Sequence, residues 1–272
     1  MSIRRTAGPL ATLGALTALL LLPLPSSGPA EAASGDLPPT QERTAPAAAP
    51  AVTKTVTAPA APALLAALAA EAPTLDRDVL ARALDARACA VAAGEAERDE
   101  VLTVIDYSLP STAKRLWVFD VADRELLYHE LVAHGKNTGG NRATQFSNTN
   151  GSLQSSLGLF RTADTYYGKN GYSLRLHGLE PGVNHLALPR TIVIHGAWYV
   201  SDEFARQQGR IGRSWGCPAV PEKVARPLID TIKDGSLVFA YYPDQDWLGG
   251  SRFLASSCGA GGTAPSTVVA AR

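Results

Sequence analysis

Short runs of apolar and β-branched residues, separated by polar turns, recur along the chain from residue 101 to residue 242. Runs of this length and composition predict β-strands. The predicted strands cover residues 101–105, 115–121, 125–134, 172–176, 191–195 and 236–242. One helix is predicted among them, over residues 224–233. Because strands dominate, the pattern indicates a fold that is mainly β, or α+β, in a domain covering residues 99–248.

Two long segments inside this domain lack an apolar pattern and are predicted to be loops. They are residues 135–156 and residues 198–213. A loop of such length within a compact domain usually has a function. We therefore expect these segments to lie near a functional site.

A helical period replaces the strand pattern between residues 63 and 98. The apolar residues that share one face of this segment are Leu80, Leu84, Ala88 and Val91. Thr74 is predicted to cap the helix at its N-terminus, and Gly94 is predicted to end it. We expect a small helical elaboration over residues 63–98 that packs on the β-rich domain.

Residues 1–32 have the pattern of a secretory signal peptide. Arg4 and Arg5 precede an apolar run over residues 10–22, and a small-x-small cleavage sequence ends at Ala32. The apolar run is short for a membrane span, which favours cleavage over an uncleaved anchor. We therefore expect a mature protein without a membrane span, exported to the periplasm or the cell-wall compartment.

Low-complexity segments flank the rest of the chain. Residues 33–62 are rich in alanine and proline, and residues 249–272 are rich in glycine, alanine and serine. Segments of this composition bury too little apolar surface to offset their chain entropy. We predict a disordered linker and a disordered tail.

Charge and motif content exclude several function classes. The chain has 25 basic and 25 acidic residues, and this balance argues against a nucleic-acid partner. Its five histidines lack the spacing of zinc ligands, and no glycine-rich phosphate-binding motif precedes a helix. We therefore expect no metal and no cofactor, and we expect a monomer.

The chain has three cysteines, which are Cys89, Cys217 and Cys258. Export places them in an oxidising compartment, and an odd number leaves at least one of them free or paired between chains. Cys89 and Cys258 either pair with each other or remain two lone thiols, because connectivity cannot be read from a sequence.

Cys217 lies in a glycine-punctuated turn that starts at Ser214 and ends at Pro218. A buried structural cysteine is the alternative interpretation. Glycine before the cysteine lets a substrate carbonyl approach the backbone closely, and the amides of Gly216 and Cys217 are predicted to form an oxyanion hole. The turn therefore favours a nucleophilic cysteine.

His195 ends a β-branched run and is followed by Gly196. It is either a core histidine or a general base for Cys217. The Gly196 carbonyl is predicted to orient the imidazole. With this base, we expect Cys217 to be a low-pKa thiolate that is labelled below pH 7. The pair predicts an acyl-transfer enzyme.

Four residues near the pair are predicted to bind substrate, and they are Ser214, Trp215, Arg213 and Tyr199. Arg213, or Arg210, is a candidate cation for a substrate carboxylate. The aromatic rings either wall a substrate groove or pack the loops.

Six motifs together resemble the murein L,D-transpeptidase catalytic domain family, a subgroup of the YkuD-like cysteine L,D-transpeptidases. They are Ile105-Asp-Tyr-Ser108, Ala133-His-Gly-Lys-Asn137, Phe146-Ser-Asn148, Ser155-Ser-Leu-Gly158, Leu176-His-Gly-Leu179 and Gly212-Arg-Ser-Trp-Gly-Cys-Pro-Ala-Val220. Two positions depart from the common S-H-G-C form of the signature. Trp215 stands in place of the histidine, and Pro218-Ala219 stands where an arginine commonly follows.

The resemblance implies a YkuD-like β-rich fold and a Cys217 acyl-enzyme with His195 as the base. Members cleave the bond between the third residue, often meso-diaminopimelate, and the terminal D-Ala of a peptidoglycan stem tetrapeptide. They pass the acyl group to an amine of another stem, which makes a 3→3 cross-link, or to water. Peptidoglycan stem peptides are therefore the expected partners.

Two other functions stay open at this point. One is an L,D-carboxypeptidase or another cell-wall cysteine hydrolase. The other is a non-catalytic wall-binding protein, against which the intact Cys217 and His195 argue.

Overall fold

The structure of this chain is a computed structural model that describes residues 61–254 and Cys258. The predicted signal peptide, residues 1–32, and residues 33–60 of the predicted linker lie outside the described residues. The same holds for the predicted tail beyond Leu254, apart from Cys258. Within the described part, no helix is both long enough and apolar enough to cross a membrane.

One eight-stranded sheet forms the centre of the described chain. Its strands are β1 (Val101–Asp106), β2 (Leu116–Asp120), β3 (Glu125–Glu130), β4 (Gly158–Gly168), β5 (Gly171–Gly178), β6 (Val193–Ala197), β7 (Ala219–Pro221) and β8 (Leu237–Tyr241). Their order in the sheet is β3-β2-β1-β8-β4-β5-β6-β7. Neighbours pair antiparallel except β1 with β8 and β6 with β7, which are parallel. The β-rich fold class predicted from the sequence is confirmed.

Helices in the described part pack against this sheet. They are α1 (Ala61–Glu71), α2 (Arg77–Ala92), α3 (Asp202–Gln208), α4 (Glu222–Ile232) and α5 (Gln245–Gly250). α2 contacts β1 and β8, while α4 contacts β5, β6 and β7. α4 buries Leu228, Ile229 and Ile232, because these apolar residues recur at the spacing of one helix face. α4 therefore packs against the edge of the sheet that β6 and β7 form.

The six predicted strands are all present with shifted ends, but β4 and the three-residue β7 were missed. β4 has 11 residues, and polar side chains such as Arg161, Asp164 and Thr165 interrupt its apolar pattern. Its first residues, Gly158 to Arg161, pair with β8, and β4 then continues as a hairpin with β5. Its outer end mixes half-buried and exposed positions, so hydrophobic periodicity does not mark it.

The N-cap prediction for α2 is wrong, because Asp76 occupies that position instead of Thr74. The Asp76 carboxylate accepts hydrogen bonds from the amides of Asp78 at 2.8 Å and Val79 at 3.3 Å. These are donors that a helix start leaves without a backbone partner. Threonine and aspartate are both favourable N-cap residues, and the sequence does not show at which of the two the helix begins.

Two segments predicted to be irregular are partly helical. Residues 198–213 contain α3, which begins after the Ser201 cap. The predicted tail boundary at residue 249 lies inside α5, and Phe253 beyond it is buried. Short helices of this kind depend on tertiary contacts, because isolated helices of so few residues are unstable.

A disulfide joins Cys89 on α2 to Cys258, with Cα atoms 5.4 Å apart. Of the two alternatives that the sequence left open, the structure contains the pair. The bond ties the C-terminal end of the described chain to the N-terminal helices.

We predict that Cys258→Ser lowers the free energy of unfolding by about 2–4 kcal/mol, because the bond restricts the unfolded chain. Urea denaturation without reductant measures this loss. Cys89→Ser is the matched control and should give the same loss, and reductant should bring the wild type to the same level. An unchanged urea midpoint in Cys258→Ser would show that the bond contributes no stability.

Candidate active site

Cys217 lies on a turn that precedes β7, and Ser214 closes this turn. The Ser214 hydroxyl donates to the Cys217 carbonyl at 2.6 Å and accepts from the Gly216 amide at 3.1 Å. Gly216 has a φ of +125°, and a Cβ there would lie 2.9 Å from the Gln154 carbonyl oxygen. Backbone conformation and space therefore both require glycine before the cysteine.

Two segments distant in the sequence support the turn. The Ser155 hydroxyl accepts from the Gly135 amide at 3.0 Å and donates to the Gly216 carbonyl at 3.0 Å. The Ser214 amide donates to the His134 carbonyl at 3.0 Å. Ser155 and Ser214 are both buried, so these bonds hold the turn where water has little access.

His195 lies on β6, beside the strand that follows the cysteine turn. Its register partner on β7 is Ala219. Its Nδ1 is 2.9 Å from the Gly196 carbonyl oxygen. Because a carbonyl oxygen only accepts, Nδ1 carries the proton and Nε2 is the basic nitrogen of the neutral ring. The geometry that the sequence assigned to Gly196 is present.

A cleft of about 380 Å³ brings most of the predicted site residues together. The predicted residues that line it are Cys217, His195, Tyr199, Arg213, Ser214 and Trp215. Trp215 is 68% exposed, and the Lys169 ammonium group lies 5.5 Å from its ring centroid. Lys169 comes from the turn between β4 and β5, and the sequence assigned it no role.

Burial shifts the pKa of Cys217 and the pKa of His195 in opposite directions. It raises the pKa of the Cys217 thiol, and the Val193 amide, the Arg190 charge and the Cys217 amide offset this only in part. It lowers the pKa of His195, which the Gly196 carbonyl opposes. Both groups are therefore neutral at pH 7. The raised pKa of the thiol argues against the low-pKa thiolate expected from the sequence.

One member of the predicted oxyanion hole is wrong. The Gly216 amide already donates to the Ser214 hydroxyl at 3.1 Å, so it is not a free donor. The amides of Val193 and Cys217 instead act to lower the pKa of the cysteine thiol, and the thiol donates to the Thr191 carbonyl at 3.7 Å. Sequence reasoning missed Val193 because strand pairing, rather than the residue type, sets the direction of a backbone amide.

Arg213 lines the cleft, but its guanidinium is held by a loop backbone. It donates to the carbonyls of Lys136 at 2.9 Å and Gly139 at 2.8 Å. The other sequence candidate, Arg210, lies outside the cleft lining and donates to the Ile211 carbonyl at 3.0 Å. Sequence reasoning missed the third arginine, Arg190, which lines the cleft beside Cys217.

His134 follows β3 and Arg115 directly precedes β2, and neither residue lines the cleft. Arg115 is fully buried and donates to His134 Nδ1 at 2.8 Å. Burial and the Arg115 charge lower the pKa of His134 to about 4. His134 is therefore neutral and donates from Nε2 to the Gly140 carbonyl at 3.1 Å. Across residues 61–254 and Cys258, no group of three or more histidine, cysteine or acidic side chains is placed to hold a metal ion.

A family model described as the L,D-transpeptidase catalytic domain matches residues 71–241 of this chain. The matched region contains all eight strands of the sheet and every residue that lines the cleft. No curated protein matches the chain.

Solved structures resemble parts of the chain. An L,D-transpeptidase from Mycobacterium smegmatis is 17% identical with a TM-score of 0.34, over 53% of this chain and 59% of that one. L,D-transpeptidase 3 from Mycobacterium tuberculosis, in complex with a faropenem-derived adduct, is 13% identical with a TM-score of 0.33, over 53% and 60%. The helical cell shape determining protein Pgp2 from Campylobacter jejuni is 13% identical with a TM-score of 0.33, over 53% and 48%. The chain thus spans 48–60% of the length of these structures.

We predict that iodoacetamide labels Cys217 slowly at pH 7, with a rate that rises through a midpoint above about 8.5, the ordinary cysteine pKa. The thiolate is the reacting form, and a raised pKa leaves less of it at neutral pH. Intact-protein mass spectrometry follows a single thiol, because the other two cysteines are paired. Half-maximal labelling below pH 7 would instead indicate a thiolate–imidazolium pair at rest.

Proposed function

Because the chain belongs to the L,D-transpeptidase catalytic domain family, we propose that it is an exported cysteine acyltransferase acting on peptidoglycan stem peptides. The proposed reaction breaks the bond between the third stem residue and the terminal D-Ala. The acyl group passes to an amine of another stem, which makes a 3→3 cross-link, or to water. The observation that carries the proposal is the placement of Cys217 and an oriented His195 in one cleft.

The first half of the proposed reaction forms a thioester on Cys217. His195 Nε2 takes the thiol proton as the sulfur attacks the carbonyl carbon of the third stem residue. The peptide C–N bond then breaks, and the imidazolium returns this proton to the amine of the departing D-Ala. Because the thiol and the imidazole are neutral at rest, the thiol proton has to pass to His195 for the sulfur to attack.

The second half of the reaction releases the thioester. His195 accepts a proton from the incoming amine or water as this nucleophile attacks the thioester carbonyl carbon. The sulfur leaves and recovers a proton from the imidazolium, which restores the neutral pair. The Cys217 amide is the proposed donor to the oxyanion, since the Gly216 amide is engaged by Ser214.

The substrate-binding roles are proposed for the side chains that line the cleft. Trp215 and Tyr199 offer apolar walls, and Arg213 contributes a positive charge for a stem carboxylate. Ser214 was predicted to bind substrate, but its hydroxyl donates and accepts within the turn. We therefore assign Ser214 to holding the turn. Export rests on the sequence pattern of residues 1–32 alone.

We predict that Cys217→Ser abolishes D-Ala release from a stem tetrapeptide, because a hydroxyl of similar size is far less acidic than a thiol. His195→Ala should lose about 10²–10⁴-fold in rate, the usual value of general acid–base help. Mass spectrometry of the products measures D-Ala release and separates the cross-linked dimer from the hydrolysed tripeptide.

Cys258→Ser is the matched control for the nucleophile, because it removes a sulfur that belongs to the disulfide and not to the cleft. It should retain turnover at a temperature where it stays folded. Near wild-type turnover in Cys217→Ser would refute the proposed acyl-enzyme, and a dimer-free product mixture would indicate a carboxypeptidase.

We predict that Trp215→Ala mainly raises KM, because an exposed indole beside the sulfur contributes uniform apolar binding. Trp215→His should keep measurable activity, since the indole cannot accept a proton and therefore shares no base role. Trp198→Ala is the matched control, because Trp198 is 69% exposed but does not line the cleft. A collapse of kcat at constant KM in Trp215→Ala would place this residue in the chemical step.

A further inference from the structure

Arg190 precedes β6 and donates to four oxygen atoms of one loop. Its Nη1 donates to the Ser147 carbonyl at 2.7 Å and to the Ser156 hydroxyl at 2.5 Å. Its Nη2 donates to the Gln154 carbonyl at 2.7 Å and to the Ser152 hydroxyl at 3.2 Å. These contacts satisfy the guanidinium as a hydrogen-bond donor and fix its position.

All four acceptors are neutral, so nothing among them balances the charge of Arg190. The ion pairs found among residues 61–254 do not include Arg190. The side chain is nevertheless buried, with 9% of its surface exposed. Burying a charge without a counter-charge is costly, and the fold keeps this one at the wall of the cleft.

The charged and titratable side chains that line the cleft with Cys217 are Lys169, Arg190, His195, Tyr199 and Arg213. His195 is neutral at pH 7, and burial, with Cys217 nearby, raises the pKa of Tyr199 to about 12. Lys169 is exposed to solvent over the Trp215 ring, so water screens its charge. Arg190 and Arg213 therefore remain as the two candidate charges that stabilise a thiolate on Cys217.

Of these two arginines, Arg190 is the one coupled to Cys217. Burial raises the pKa of Cys217, and the Arg190 charge opposes this shift; burial lowers the pKa of Arg190, and Cys217 opposes that shift. Arg213 donates to the Gly139 carbonyl, and its charge acts on His134. Arg190 also holds the Gln154 carbonyl, which packs against Gly216 directly before the nucleophile.

We propose that Arg190 is the permanent counter-charge of the Cys217 sulfur and stabilises the anion that forms there during the reaction. Arg190 acts through Cys217 and the turn, so it is a positioning residue. The inference rests on the proposed role of Cys217 as the nucleophile.

The test is the pH dependence of Cys217 alkylation by iodoacetamide, read by intact-protein mass. Arg190→Gln should move the labelling midpoint to higher pH by about 1 unit, because a nearby opposite charge typically shifts a pKa by at least that much. Arg190→Lys keeps the charge and should move the midpoint less. Arg210→Gln removes an arginine charge outside the cleft and should leave the midpoint unchanged.

A purely structural role for Arg190 predicts a different pattern. Lysine and glutamine would then disturb the loop alike, with equal midpoints in the two variants, and this result would overturn the proposal. A midpoint in Arg190→Gln equal to that of the wild type would overturn it as well. Circular dichroism establishes that each variant is folded.

If Arg190→Gln does not fold, Ser152 offers a variant that keeps the arginine. Ser152→Asp places a carboxylate beside Nη2, where the hydroxyl now lies 3.2 Å away, and Ser152→Asn is its neutral control. The proposal expects a higher midpoint with aspartate than with asparagine, and equal midpoints would overturn it. Alkylation needs no turnover, so a failure of the proposed acyl-enzyme would appear in the Cys217→Ser assay and not here.

Discussion

The position of the Cys217 sulfur depends on two buried serine hydroxyls. Ser214 closes the turn from within, and Ser155 ties it to Gly135 and to the Gly216 carbonyl. Each hydroxyl donates one hydrogen bond and accepts another, so removing either would leave two backbone groups unpaired, at about 1–3 kcal/mol for each buried group. Because a displacement of about 1 Å at a reacting atom can cost about 10²-fold in rate, the cleft depends on this turn.

Burial keeps the Cys217 thiol and the His195 imidazole uncharged. It raises the pKa of Cys217 and lowers the pKa of His195, so both groups are neutral at rest. The buried site therefore avoids the desolvation cost of a thiolate–imidazolium ion pair. A mostly protonated thiol is also less prone to oxidation, which protects the one free cysteine. Arg190 and the amides of Val193 and Cys217 then favour the anion when it forms.

Three of the six sequence motifs that predicted a function are brought together by the fold. The segment after β3, the segment before β4 and the cysteine turn meet around Ser155, which bonds to Gly135 and Gly216. Their spacing in the sequence shows no such contact, because antiparallel and crossover connections place distant residues side by side. The same folding explains why α3 and β4 were missed, since both depend on packing more than on a local pattern.

Local chemistry made part of this protein predictable. Most strand positions follow from runs of apolar residues, and the Cys217–His195 pair was predicted from a glycine-punctuated turn and a histidine that ends a β-branched run. The tertiary structure alone decided the protonation states, the loss of the Gly216 amide as a free donor, and the placement of Arg190 in the wall of the cleft that contains Cys217. These depend on burial and on contacts between segments far apart in the chain. A pKa or a free donor is a property of the surroundings of a group, and the surroundings exist only in the folded state.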